Sequence, residues 1–266
     1  MIDLHCHLLP GIDDGPLSLE VSLAMARQAV DDGIVFTACT PHIYPGLYEN
    51  TRAGIEAAVL EFRRELAAAG IPLQLGVGAD VHLAPELAGA VRAGRVPTLC
   101  GSRYLLLEPP HHVAPPRFAE SVFGLMTAGL VPVITHPERL TWIENHYAVF
   151  GDLVKQGAWM QLTAGSLTGR FGRRPQYWAE RMLDEGLVHI LATDSHHCDK
   201  RPPLLAEGRE AAARRLGAAE AEHLVETRPQ AILDDLPPAA VPPLPDVGAP
   251  KKAGKPGFWH RLFGNP

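Results

Sequence analysis

Two histidines separated by one residue stand in the first strand-like stretch of the chain, which begins MIDLHCHLLPGIDDG. Alternate side chains of a strand point to opposite faces, so His5 and His7 are expected on one face and Leu4 and Cys6 on the other. Imidazole is a frequent metal ligand and proton carrier. A turn with two aspartates follows at once. The opening therefore predicts a polar row that is either solvated or part of a site.

Metal-capable side chains recur at the ends of the later strand-like stretches. In parallel α/β folds the carboxyl ends of the strands lie at one face, where active sites are built. A lone histidine is usually an ordinary residue, and His146, His189 and His223 are expected to be structural. A set of histidines and carboxylates that recurs at the carboxyl ends of successive strands is better explained as a metal site. Its members are His5, His7, His42, Asp80, Glu108, His136, Asp194 and His196.

The elements that must position this set alternate along the chain. Apolar stretches with strand character occur at residues 2–6, 33–39, 72–80, 103–108, 130–136, 158–163 and 187–194. Amphipathic stretches with helical spacing occur at residues 19–30, 52–69, 118–127, 147–155 and 176–184. Strand followed by helix, repeated in this way, predicts a parallel sheet or a closed barrel.

Composition limits the classes of protein that fit. With 266 residues, 46% of them hydrophobic, the chain can bury a large core. A formal charge of −6 gives no basic surface for nucleic acid, so no nucleic-acid partner is expected. The four cysteines are widely spaced, which suits a reducing compartment, and no apolar run approaches the length of about 18 residues that spans a bilayer. These features predict a cytoplasmic protein.

The segments DLHCHLLPGIDDG, TPH, LLLE, ITHPER and ATDSHH resemble the polymerase and histidinol phosphatase (PHP) superfamily. More narrowly, they are similar to its CpsB/CapC-type bacterial protein-tyrosine phosphatases. The resemblance runs from Met1 to Asp235. It implies an α/β fold, a distorted (β/α)7 barrel of the PHP type, with a trinuclear metal site at the carboxyl ends of the strands. Manganese is the metal that the resemblance favours, and nitrogen and oxygen ligands also suit iron or zinc.

The resemblance also implies a ligand set for three divalent ions. The first ion is assigned His5, His7 and Asp194; the second Glu108 and His136, with Asp80 bridging these two; the third Asp14, His42 and His196. The neighbouring Asp13 is the less favoured of the two aspartates. Asp80 is a departure, because the family has glutamate there and the side chain is one methylene shorter.

A dianionic substrate fits this set. Three divalent ions and four carboxylates leave a charge of about +2, which attracts a phosphate monoester. The family's matching arginines contact phosphate, which makes Arg139 and Arg201 the expected substrate-binding and catalytic residues, and His42 is a candidate proton donor. The predicted reaction is hydrolysis of phosphotyrosine in proteins by a metal-activated water.

Three other interpretations of the sequence stand beside this one, of which the first is excluded and two stay open. A cysteine-based phosphatase needs an arginine six residues after its thiolate, and none of the four cysteines has one. A PHP-type phosphatase of a small monoester, such as histidinol phosphate, keeps the fold and changes the substrate. A metal-binding regulator that has lost catalysis is the third reading, for which Asp80 is the only hint.

The last part of the chain changes in composition. Residues 1–235 are expected to form the catalytic barrel, and residues 236–266 a Pro-rich flexible tail with the basic and aromatic end KKAGKPGFWHRLFGNP. This end is a candidate contact with the inner face of the membrane or with a membrane-bound partner. The resemblance implies, as substrate, a membrane-associated bacterial tyrosine kinase that controls export of capsule or exopolysaccharide.

Overall fold

The computed structural model describes residues 1–246, which form nine strands and eleven α-helices. The strands are β1 (Ile2–Cys6), β2 (Phe36–Cys39), β3 (His42–Ile43), β4 (Gln74–Val77), β5 (Asp80–His82), β6 (Tyr104–Glu108), β7 (Val131–Thr135), β8 (Trp159–Thr163) and β9 (Ile190–Ala192). The helices are α1 (Leu19–Asp31), α2 (Arg52–Ala68), α3 (Leu87–Arg92), α4 (Phe118–Thr127), α5 (Ile143–His146), α6 (Ala148–Gln156), α7 (Ala164–Leu167), α8 (Arg173–Asp184), α9 (Ala206–Leu216), α10 (Ala218–Glu222) and α11 (Arg228–Leu233).

The strands form two parallel sheets. One sheet has the order β1-β2-β4, and the other has the order β3-β5-β6-β7-β8-β9. An isolated parallel bridge between Cys6 and Ser195 joins the end of β1 to the segment that follows β9. The predicted parallel α/β class is confirmed, and closure of the sheets into one barrel stays a prediction.

Apolar periodicity accounts for the way helices cover these sheets. In α2 the buried residues Ile55, Val59, Phe62 and Leu66 recur every three or four positions and form one stripe of the helix. In β6 the residues Tyr104 to Leu107 are all buried, as expected for a parallel strand that is covered on both faces. Helices and strands therefore share an apolar core.

The predicted strand at residues 72–80 is wrong as one element, because the chain breaks at Gly78. A Cβ atom at Gly78 would lie only 3.0 Å from Cγ2 of Thr40. The backbone N–H of Gly78 donates to the carbonyl of Cys39, so the chain passes close to the end of β2 before β5 begins. The break lets β5 pair with β3, with His42 in register with Asp80.

The start of the Pro-rich segment contacts the body of the protein. Buried Arg228 donates to the carbonyl oxygens of Pro242 and Pro243, and the Tyr104 hydroxyl donates to the carbonyl of Leu236. The boundary at residue 235 stays a prediction, and the basic and aromatic end of the tail lies outside the described residues. Within residues 1–246, no helix is both long enough and apolar enough to cross a membrane.

Candidate metal centre

The structure brings together all nine residues that were predicted as metal ligands. They fall into four overlapping groups, and within each group the candidate ligand atoms lie within 4.8 Å of one another. Three groups differ from the predicted partition, since His7 joins the predicted set of the third ion, Glu108 joins His42 and Asp80, and His136 joins His5 and Asp194. The groups are His7, Asp14, His42 and His196; His5, His7 and Asp80; His5, His136 and Asp194; and His42, Asp80 and Glu108.

Two of these residues adopt left-handed backbone angles directly after a strand. His136 follows β7 with φ of 32°, and Asp194 lies two residues after β9 with φ of 49°. Such angles are uncommon for residues other than glycine and cluster at functional sites. The Asp194 N–H donates to the carbonyl of His5 at 2.7 Å, which ties β1 to the end of β9.

The ring orientations of His5 and His7 are fixed by residues behind them. Nδ1 of His5 lies 2.9 Å from Oε1 of Gln161, and Nδ1 of His7 lies 2.7 Å from Oδ2 of Asp13. Because both partners are acceptors, the Nδ1 atoms carry the protons. The two Nε2 atoms then face each other at 3.2 Å. A positive charge between them is needed, and a metal ion fits this donor set.

The electrostatic environment of His5 also favours a positive charge at this position. Burial acts to lower the pKa of His5, but Asp194 and Asp80 raise it to about 9. The pocket therefore stabilises positive charge at this ring. Since the ring is fully buried, that charge has no access to solvent.

Asp80 is a buried carboxylate without a hydrogen-bond partner for either oxygen among the described residues. Its Oδ2 lies 3.4 Å from Nε2 of His5 and 3.5 Å from Nδ1 of His42. A buried, unpartnered carboxylate is costly unless a cation compensates it. The side chain lies between these two histidines, and its bridging of the first and second ions stays a prediction.

The cluster opens to solvent at Asp14, whose side chain is 45% exposed. Its Oδ1 lies 3.3 Å from Nε2 of His196 and 3.5 Å from Nε2 of His42. On the same side, Oε2 of Glu108 lies 3.5 Å from Nδ1 of His42. Burial and the nearby Asp80 raise the pKa of Glu108. The mouth of the site is therefore bordered by loop residues that follow β1 and β9 and by residues of β3 and β6.

Arg139 and Arg201 converge on one oxygen of Asp194. Nη1 of Arg139 donates to Oδ2, and Nη2 of Arg201 lies 2.6 Å from the same atom. Burial acts to raise the pKa of Asp194, but Arg201, His5 and Arg139 hold it well below its usual range. Both guanidinium groups remain partly exposed, so each can also reach a bound anion.

Three residues that support this cluster were not assigned that role from the sequence. Gln161 orients His5, and Asp13 accepts from the His7 ring and from the backbone N–H groups of Gly15 and His42. Buried Glu138 accepts from the Thr163 N–H and the Ser166 hydroxyl, which fixes the turn that carries Arg139 against β8. Burial raises the pKa of Glu138 to about 7. The sequence feature that could have indicated one of these residues is the polar Gln161 inside the apolar stretch AWMQLT.

Two other histidines lie at the edge of the cluster. Nδ1 of His82 is 3.7 Å from Oε2 of Glu108, and the His111 ring is 6.1 Å from that of His136. Burial, with Arg139 nearby, lowers the pKa of His111 to about 4. Neither residue belongs to the four groups of candidate ligands.

Fold and site together define a parallel α/β protein with a cluster of histidines and carboxylates suited to metal ions. The family model for capsular polysaccharide synthesis, CpsB/CapC, matches residues 1–234. The chain belongs to this family, as the sequence resemblance predicted.

Individual relatives agree with the family. Tyrosine-protein phosphatase YwqE of Bacillus subtilis is 36% identical over 203 residues, which cover 76% of this chain and 79% of YwqE. Tyrosine-protein phosphatase CpsB of Streptococcus pneumoniae is 28% identical over 240 residues, covering 88% of this chain and 99% of CpsB. The crystal structures of YwqE and CpsB, described as unique metal-dependent tyrosine phosphatases, include a chain that matches with a TM-score of 0.86 and 31% identity. That match covers 92% of this chain and 99% of the other.

Proposed function

We propose that this protein is a metal-dependent protein-tyrosine phosphatase. The observation that carries the proposal is a set of buried ligand atoms without hydrogen-bond partners among the described residues, on Asp80, His42 and His196, placed beside two arginines. A cation-binding cluster next to guanidinium groups suits a phosphate dianion. The activity named for YwqE and CpsB supports the same reaction class.

We further propose that the nine clustered residues hold three divalent ions, with manganese as the first candidate and iron or zinc as alternatives. When bound, such ions supply Lewis acidity and lower the pKa of a coordinated water. The chain's part is to fix the ligand atoms. Gln161 and Asp13 do so by setting the ring orientation of His5 and His7, and Asp80 does so by lying between His5 and His42.

The arginines and His42 act on the substrate in this proposal. Arg139 and Arg201 bind the free oxygens of the phosphoryl group and neutralise its charge. Asp194 holds both guanidinium groups in place before the substrate arrives. His42 lies toward the open side, where it can donate a proton to the leaving oxygen. A phenol with a pKa near 10 leaves more easily than an alkyl alcohol, so this proton transfer is less demanding for tyrosine.

The proposed partners follow from the family. Its description, capsular polysaccharide synthesis, supports a phosphotyrosine protein of that system as substrate, and we propose a membrane-associated tyrosine kinase. The protein would act in the cytoplasm, with a membrane contact through the tail beyond residue 246.

The test is a phosphatase assay on metal-free protein and on protein reconstituted with manganese. A phosphotyrosine peptide, a phosphoserine peptide of the same sequence and histidinol phosphate are compared side by side. We expect hydrolysis only with metal, and a higher kcat/KM for the phosphotyrosine peptide than for either alkyl phosphate. Preference for histidinol phosphate would contradict the substrate, and no turnover of any of the three would contradict the enzyme.

A further inference from the structure

Two tyrosines stand on the open side of the metal centre and stack on histidines there. The Tyr48 ring lies 5.5 Å from the His42 ring with an interplanar angle of 13°. The Tyr44 ring lies 3.8 Å from the His82 ring with an angle of 6°. Both tyrosines are half-buried, so each ring keeps an exposed part. We call Tyr44 and Tyr48 the aromatic wall.

The turn that joins these tyrosines is held rigidly. The N–H of Tyr44 donates to the carbonyl of Tyr48 at 2.9 Å, and the N–H of Tyr48 donates back at 2.8 Å. Gly46 supplies the positive φ of 84° that the turn needs. The side-chain amide of Asn50 donates to the carbonyls of His42 and Ile12, which ties the turn to the loop that carries Asp14. The wall is therefore in place before a substrate binds.

The aromatic wall lies on the side of the site where the leaving group of the substrate would extend, away from the arginines that would bind its phosphate. Arg139 and Arg201 meet at Asp194, whereas Tyr48 stacks on His42 near the exposed Asp14. A phosphate that contacts the arginines leaves its ester substituent to extend toward the mouth. A planar substituent can stack there on aromatic rings, and such pairs add measurable affinity beyond burial of area.

We propose that the aromatic wall recognises the planar ring of the substrate and so selects aryl phosphates over alkyl phosphates. This inference rests on the proposed phosphatase function and names the residues that determine its specificity. Tyr48 supplies the main contact, since it is next to His42 and Asp14. Tyr44, stacked on His82 beside Glu108, supports it from the far end of the turn.

The experiment compares equilibrium binding of phenylphosphonate and cyclohexylphosphonate to manganese-loaded protein by calorimetry. The two ligands have the same number of heavy atoms and are not hydrolysed, so leaving-group chemistry plays no part. Their Kd ratio on one preparation does not depend on the fraction of metal-loaded chains. We expect Tyr48→Leu to reduce the preference for the phenyl ligand about fivefold, from the usual strength of aromatic pairs. Tyr48→Phe should keep the preference, as should Tyr177→Leu, a change of an exposed tyrosine on α8.

The possible outcomes distinguish a failure of this inference from a failure of the proposed phosphatase function. An unchanged Kd ratio in Tyr48→Leu, on a wild type that hydrolyses a phosphotyrosine peptide, would overturn the role of the wall and leave the phosphatase intact. A wild type without hydrolysis would overturn the proposed function first. If Tyr48→Leu does not fold, Tyr44→Leu carries the same comparison, and equal ratios there count against the wall.

Discussion

Histidines are buried at both ends of the strands, but the hydrogen bonding of their ring nitrogens differs between the two ends. At the amino end of β9, Nδ1 of His189 accepts the Met160 N–H at 3.1 Å, and its ring stacks on Trp159 at 4.7 Å. At the carboxyl end, the buried atoms Nδ1 of His42 and Nε2 of His196 have no hydrogen-bond partner among the described residues. Burial by itself therefore does not mark the site. Several buried ligand atoms without partners, gathered in one cluster, do.

Two arginines show the same contrast. Arg228, near the amino end, is fully buried and pairs with Glu220 at 2.6 Å as well as with the carbonyls of Pro242 and Pro243. Arg201, at the carboxyl end, binds Asp194, while its Nε has no partner among the described residues. Arg228 is fully hydrogen-bonded within the protein, whereas Arg201 keeps one N–H ready for a ligand.

The largest effect is expected from His7→Ala, which removes a ring from two of the candidate metal groups. Bound metal should fall, and turnover should drop more than about 100-fold, the upper range for residues that only orient a ligand. Elemental analysis and a phosphotyrosine peptide assay measure the two effects. The matched control is His189→Asn, which should retain its metal. Wild-type metal content in a folded His7→Ala protein would remove this histidine from the centre.

Arg139→Ala and Arg201→Ala should each lower kcat/KM about 100-fold, as loss of a charge-stabilising donor does. Metal content should stay at the wild-type level, because a guanidinium group contacts the anion and not the cation. Product inhibition by inorganic phosphate is the decisive readout, with Arg215→Ala, an arginine of α9 that pairs with Asp184, as the control. Inhibition as tight as in the wild type would refute the proposed contact with phosphate.

Asp13→Asn should weaken manganese binding about tenfold, the lower range for such supporting residues. The carboxylate accepts from the His7 ring, from Gly15 N–H and from His42 N–H, whereas an amide would turn N–H protons toward one of these donors. A metal titration measures the change, and Asp152→Asn, on the exposed face of α6, is the control. Equal affinities for Asp13→Asn and the wild type would show that Asp13 does not orient the ligand.

The smallest effect concerns stability at the amino end. Burial and Arg228 lower the pKa of His189 from 6.5 to about 3. Below pH 6.5 the unfolded chain binds a proton that the folded protein does not bind, so the free energy of unfolding falls as pH decreases toward 3. The loss is about 1.4 kcal/mol per pH unit for one proton. Urea unfolding between pH 7 and pH 5 should therefore show a shallower pH dependence for His189→Asn, and identical slopes would contradict this assignment.

Much of the fold could be predicted because apolar runs and helical spacing are local properties of the sequence. The helix at residues 118–127 has the predicted bounds. The break at Gly78 could not be predicted, since it depends on the approach of Thr40 from another strand. The helices between residues 206 and 233 were not located, although the Ala-, Glu- and Arg-rich composition there carries a helix signal.

In the candidate site, too, some residues could be predicted from the sequence and others depend on contacts that form only in the fold. The nine clustered residues could be predicted because their types are unusual at strand ends and match a family motif. Gln161 could not, because it lies 156 residues from His5 in the chain and acts only through the folded contact. The stacking of Tyr48 on His42 depends likewise on the geometry of a turn that the sequence pattern does not specify.

The most direct test of the central claim is a manganese titration of metal-free protein, with bound metal and hydrolysis of a phosphotyrosine peptide measured on the same samples. Turnover should be absent without metal and should rise with bound manganese up to three ions per chain. Full activity in the metal-free protein, or none in the fully loaded protein, would contradict the account.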